Sequence, residues 1–124
     1  IPEEKFYEKN QFRNFDGANW NFNEVQKSYV EKMVKLCNDE DIKILFVTAP
    51  IANVSMEQIE NYDILHKKIA DFANRLQVKY IDYNMVNMEK NLFENENFRD
   101  DAHLNYSGVE IFMADFIEWY KGIN

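Results

Sequence analysis

From Val25 onward the apolar residues fall at helical spacing. Val25, Tyr29, Met33 and Leu36, with Cys37 beside the last, form one stripe, while Lys27, Glu31, Lys32 and Lys35 face away. Asn23, with Gln26 three residues on, supplies the N-cap that starts this helix, and the run Asn38 to Asp41 suits the loop that ends it. Lys43 to Pro50 then reads as a strand, because Ile44, Leu45, Phe46 and Val47 are apolar without alternation, the signature of burial on both faces of a parallel sheet. Ser55 and Gln58 predict a second capped helix carrying Ile59, Tyr62, Leu65, Ile69, Phe72 and Leu76. Val78 to Asp82 reads as the next strand.

Tyr83 to Arg99 is polar and Asn-rich, with a short helix predicted around Met85 to Leu92. Ser107 and Glu110 then cap a terminal helix bearing Val109, Phe112, Met113, Phe116, Ile117 and Tyr120, ending near Gly122. Strands separated by helices imply parallel crossovers, hence an α/β fold with a short parallel sheet flanked by helices. Two such strands are few for a sheet buried on both faces. A third has to come from the N-terminal segment, from another chain, or from the rest of a larger domain.

Residues 1–22 show neither periodicity but carry Phe6, Tyr7, Phe12, Phe15, Trp20 and Phe22. They read as an irregular segment lying against something apolar, with core packing favoured over a carbohydrate platform. Residues 23–124 read as the α/β domain. The chain begins at Ile1 rather than Met, which reads as a trimmed start that would hide a signal peptide.

Composition narrows the function. Of the 124 residues, 14 are Lys or Arg and 22 Asp or Glu, a net charge of −8 that argues against nucleic acid as a partner. A hydrophobic fraction of 46% supports a packed core rather than disorder. Cys37 is alone, so no intramolecular disulfide forms, and its place on the helix stripe reads as an inert core thiol. The longest apolar run, Ile44 to Val47, is too short to span a membrane.

The most informative stretch is Phe98-Arg99-Asp100-Asp101-Ala102-His103-Leu104-Asn105-Tyr106-Ser107-Gly108, with a carboxylate three residues before a histidine in a loop that leads into a capped helix. A carboxylate holding an imidazole fixes its tautomer and stabilises its protonated form, which a general base serving a hydroxyl nucleophile requires. By residue types alone, solvated loop acids beside a His103 packed on the terminal helix fit equally well. A metal site at Asp100, Asp101 and His103 would need further ligands. Asp63 and His66 read as an exposed helix pair worth a few tenths of a kcal/mol. Asp82, at a strand's C-terminal end, suits either a pocket or the capping of the next turn.

The stretch from Phe98 to Gly108, followed by an amphipathic helix, resembles the last conserved block of SGNH (GDSL-type) hydrolases. The upstream order of helix, Ile42 to Pro50, helix and Val78 to Asn84 resembles the last two strands of that fold. The likeness covers residues from about 23 to 121. It is nearest to clostridial-type cell-envelope members, and looser to the D-alanyl transfer protein of lipoteichoic acid synthesis and to alginate O-acetylation proteins. The resemblance implies a partial three-layer α/β/α, flavodoxin-like domain, with Asp100 as triad acid and His103 as base. It implies a serine esterase or O-acyltransferase acting on ester-linked acyl groups of cell-envelope glycans, with no cofactor and an extracytoplasmic setting. Membrane attachment would come only through an N-terminal anchor outside this chain.

The family's Gly-Asp-Ser nucleophile motif is absent, as are its Gly and Gly-x-Asn-Asp oxyanion blocks, and Asp16-Gly17-Ala18-Asn19-Trp20 does not match them. Ser28 falls in a helix, and Ser55 and Ser107 are accounted for as caps. The resemblance therefore covers only the C-terminal half of such a domain, which alone is expected to be inactive. The alternative is a non-catalytic interaction module, for instance one pairing with a second copy through an open sheet edge.

Overall fold

The structure, a computed structural model, describes residues 11–123. Phe6 and Tyr7 of the aromatic segment lie outside them. The elements are α1 (Glu24–Asp39), β1 (Leu45–Thr48), a one-turn α2 (Asn53–Met56), α3 (Tyr62–Arg75), β2 (Lys79–Asp82), α4 (Tyr83–Lys90), a 3-10 turn (Asn95–Asn97) and α5 (Tyr106–Ile123). The chain is mixed α/β, and β1 and β2 pair in parallel from Leu45↔Lys79 to Thr48↔Asp82. It divides into two compact units interleaved in sequence. Among the described residues, a sheet unit takes Asp16–Thr48 and Glu60–Asp82; a helical unit takes residues 11–15, Ala49–Ile59 and residues 83–123.

In the sheet unit, α1 starts where expected: the Asn23 side chain accepts the backbone N–H groups of Val25 and Gln26 at 3.0 and 3.1 Å. The predicted burial of its stripe is corrected. Val25, Tyr29, Met33 and Leu36 are exposed, and Val34 is the residue of α1 that is buried. The predicted helix from Ser55 is likewise corrected. Ser55 lies buried inside α2, and the long helix begins only at Tyr62, after Asn61 turns into the left-handed region with φ 54°. Asn61 holds that turn by donating its side-chain amide to Asp16 Oδ1 at 2.9 Å.

The aromatic segment contributes no third strand among its described residues, only a parallel bridge between Asp16 and Glu60 in which Gly17 N–H donates to the Glu60 carbonyl at 2.8 Å. Lys68 Nζ donates to the carbonyls of Ala18 and Trp20 at 3.1 and 2.6 Å, so this irregular backbone finds its partners on α3. Trp20, Phe22 and Phe72 follow one another at centroid distances of 4.8 and 4.7 Å, and Phe46 stacks on Phe72.

With only three glycines in the chain, left-handed turns fall to other residues. Asp41 follows α1, Gln77 follows α3 and Asn91 follows α4, each at positive φ, the conformation that commonly ends a helix.

The core of the helical unit is Tyr83, Phe93 and Phe98, all but fully buried. The Asn-rich stretch is polar in composition yet partly interior. Asn87 accepts the Phe93 N–H at 2.8 Å and donates to Asn53 Oδ1 at 2.8 Å, while Asn53 donates to the Phe93 carbonyl at 2.9 Å. Asn84 accepts the Ile51 N–H at 2.9 Å. These amides satisfy backbone groups that lack a ladder. On α5, Phe112 turns inward against Tyr83 at 4.6 Å, whereas Val109, Met113, Ile117 and Tyr120 are exposed. The predicted Ser107 cap is corrected: Asn105 caps α5, its Oδ1 accepting the Gly108 N–H at 3.1 Å.

Candidate functional site

The loop from Arg99 to His103 is closed at its base. Phe98 and Leu104 form an antiparallel bridge, Arg99 N–H donates to the His103 carbonyl at 2.7 Å and Asn105 N–H to the Asn97 carbonyl at 2.9 Å. Phe98, packed edge-on against Phe93, anchors this base in the helical core. Asp101, read from sequence as a solvated acid, is instead buried, and its carbonyl accepts the Ala52 N–H at 3.1 Å. The loop is therefore braced at its base, with Asp100 and His103 beyond the bridge.

There Asp100 and His103 meet. His103 Nδ1 lies 2.8 Å from Asp100 Oδ1 and 3.0 Å from Oδ2. A carboxylate can only accept, so the Nδ1–H tautomer is fixed and Nε2 is the free nitrogen. The His103 side chain is 64% exposed and that of Asp100 25%. The ring is thus neither packed under the terminal helix nor turned from the acid. Burial pushes the Asp100 carboxyl up, but the Ala102 N–H, donating to Oδ1 at 2.9 Å, and the His103 ring outweigh it and hold the group below its ordinary value.

No serine completes the pair within the helical unit. Ser55 is buried in α2, and Ser107 Oγ donates to Asn105 Oδ1 at 2.8 Å while accepting from Asn97 at 3.1 Å. Ser28 lies on α1 in the sheet unit. Among the described residues no group of three His, Cys, Asp or Glu side chains is placed to hold a metal ion. Among them, too, no helix is long and apolar enough to cross a membrane. Cys37 is half-buried.

The sheet unit contains a second carboxylate–imidazole pair, and here the sequence expectation is corrected. His66 pairs with Asp82, not with Asp63: its Nδ1 lies 2.9 Å from Asp82 Oδ2, with side-chain exposures of 29% and 1%. Tyr62 OH donates to both Asp82 oxygens at 2.9 and 2.8 Å, and Tyr80 OH donates to Oδ2 at 3.3 Å. Thr48 Oγ1 lies 2.6 Å from Tyr80 OH, and the His66 ring stacks on Tyr80 with centroids 5.7 Å apart. Burial pushes the Tyr80 phenol far up, against the Thr48 hydrogen bond and with the Asp82 charge, so the hydroxyl stays protonated. The signal in the sequence was Asp82 itself, an acid at the C-terminal end of a parallel strand. Its partners lie 16 and 20 residues away along the chain and follow no local spacing.

No family model, curated protein or solved structure matches the chain.

Proposed function

We propose that this chain carries the acid–base pair of an SGNH-type serine esterase or O-acyltransferase that acts on ester-linked acyl groups of cell-envelope glycans. The observation supporting this is the 2.8 Å contact of His103 Nδ1 with Asp100, which leaves Nε2 on the exposed ring. The nucleophile comes from outside this sequence, which has no Gly-Asp-Ser. Its serine hydroxyl would give its proton to His103 Nε2 as the oxygen attacks the acyl carbonyl. The imidazolium, steadied by Asp100, would return that proton to the departing alkoxide, leaving an acyl-serine for water or an acceptor hydroxyl. On this reading the two parallel strands belong to the larger sheet of a three-layer α/β/α domain, and the open face of α1 is where the remainder packs.

The test is to join the chain to a polypeptide that supplies the Gly-Asp-Ser half and measure hydrolysis of p-nitrophenyl acetate. His103→Ala should abolish turnover, and unchanged turnover refutes the assignment.

The exposed row Val25, Tyr29, Met33 and Leu36 on one side of α1 favours a second reading, a non-catalytic module that self-associates. Light scattering across a concentration series decides it: a chain that stays monomeric when concentrated rules this reading out.

A further inference from the structure

His66 borders an open surface pocket of about 290 Å3 in the sheet unit, shared with Asn74, Lys79 and Tyr80 and lined also by Ala70, Ala73 and Val78. His66 lines it and Asp82 does not, and with Nδ1 turned to Asp82 the ring nitrogen left for a ligand is Nε2. In the neutral ring the Nδ1 proton is committed to the carboxylate, and Nε2 is a bare acceptor. The buried carboxylate, the Tyr62 hydroxyl and the stack on Tyr80 hold that orientation, as a carboxylate behind a ligand-binding histidine does elsewhere. On the same rim, Lys79 Nζ and the Asn74 amide have no hydrogen-bond or ion-pair partner among the described residues. The rim therefore offers one acceptor, one cation and one amide donor.

We propose that this cavity binds a small anion that carries its own hydroxyl group, of the hydrogenphosphate or 2-hydroxycarboxylate type. The hydroxyl donates to His66 Nε2, and the charged oxygens accept from Lys79 and Asn74. An alcohol lacks the charge, and an anion without a hydroxyl leaves the acceptor unpaired. The cation on the rim disfavours a metal ion as the occupant.

The experiment titrates the full chain at about pH 8 with two matched pairs: inorganic phosphate against sulfate, and lactate against propionate. His66 ring resonances are followed by NMR. The expected result is a saturable shift for at least one hydroxylated member, about fivefold tighter than its counterpart, the equivalent of one neutral hydrogen bond. Lys79→Ala, at an exposed position that does not threaten folding, should weaken that binding about tenfold. Equal affinities within both pairs, the absence of any saturable shift, or an unchanged affinity in Lys79→Ala each overturns the proposal.

Discussion

The α-carbon of Gly108 lies against the backbone carbonyl of Asn97 so closely that a β-carbon there would overlap that oxygen and stand 2.7 Å from Leu104 Cδ2. The obstacle is backbone, which cannot swing aside as a side-chain tip can, and it belongs to the segment that closes the Asp100–His103 loop. Gly108→Ala should therefore destabilise the chain by about 1–3 kcal/mol, read as a lower urea midpoint. Gly122, on the same helix with open space around it, is the control: Gly122→Ala should leave the midpoint unchanged or raise it slightly.

The Asp100 carboxyl is held below its ordinary value in the folded chain, so the stability it contributes is present at neutral pH. It is lost as pH falls through about 4 and below, where the folded group also takes up its proton. Because His103 is largely exposed, the contribution is less than about 1 kcal/mol. Urea melts of wild type and Asp100→Asn should differ at neutral pH and converge in acid; a gap that persists in acid contradicts this account.

Asp82 is far more consequential for folding. Asp82→Ala strips the acceptor from Tyr62 and His66 inside the sheet unit and should cost about 3–5 kcal/mol. Asp63→Ala, at an exposed position three residues from His66, should change stability by less than about 0.5 kcal/mol. Thermal melts of the two variants separate the observed pairing from the one that local spacing suggests.

On α1, the residues that look like core are not the ones that stabilise this chain. Leu36→Gln and Met33→Gln should lie within about 0.5 kcal/mol of wild type, whereas Val34→Ala, at the buried position, should cost about 1–2 kcal/mol. Chemical denaturation of the three variants checks the ranking. If the proposed esterase reading holds, the first two should instead impair association with a nucleophile-bearing half.

How much of this was legible in the sequence depends on the range of the interaction involved. The Asn23 cap was readable because it is set by residues close in sequence, and the strand pair from a run of apolar residues, although the burial expected on both faces of β1 is not met, Val47 being exposed. A spacing of three left the Asp100–His103 contact open, since Asp63 and His66 have the same spacing and do not pair. The α1 stripe misled because periodicity reports which face is apolar, not whether anything covers it. The break at Asn61 was hidden because a left-handed asparagine held by Asp16, 45 residues earlier, leaves no local mark. Asn105, two residues before Ser107, takes the cap of α5; both residue types cap well, so residue type does not separate them.

The interleaving of the two units along the polypeptide has a practical corollary for genetic dissection. The sheet unit is assembled from stretches on either side of Ala49–Ile59, so no deletion working inward from either end isolates it. Excising Ala49–Ile59 to join its halves would take a strand-flanking stretch from the other unit. No single cut therefore yields either unit as an unbroken stretch, which makes point substitution, rather than truncation, the means of assigning roles in this protein.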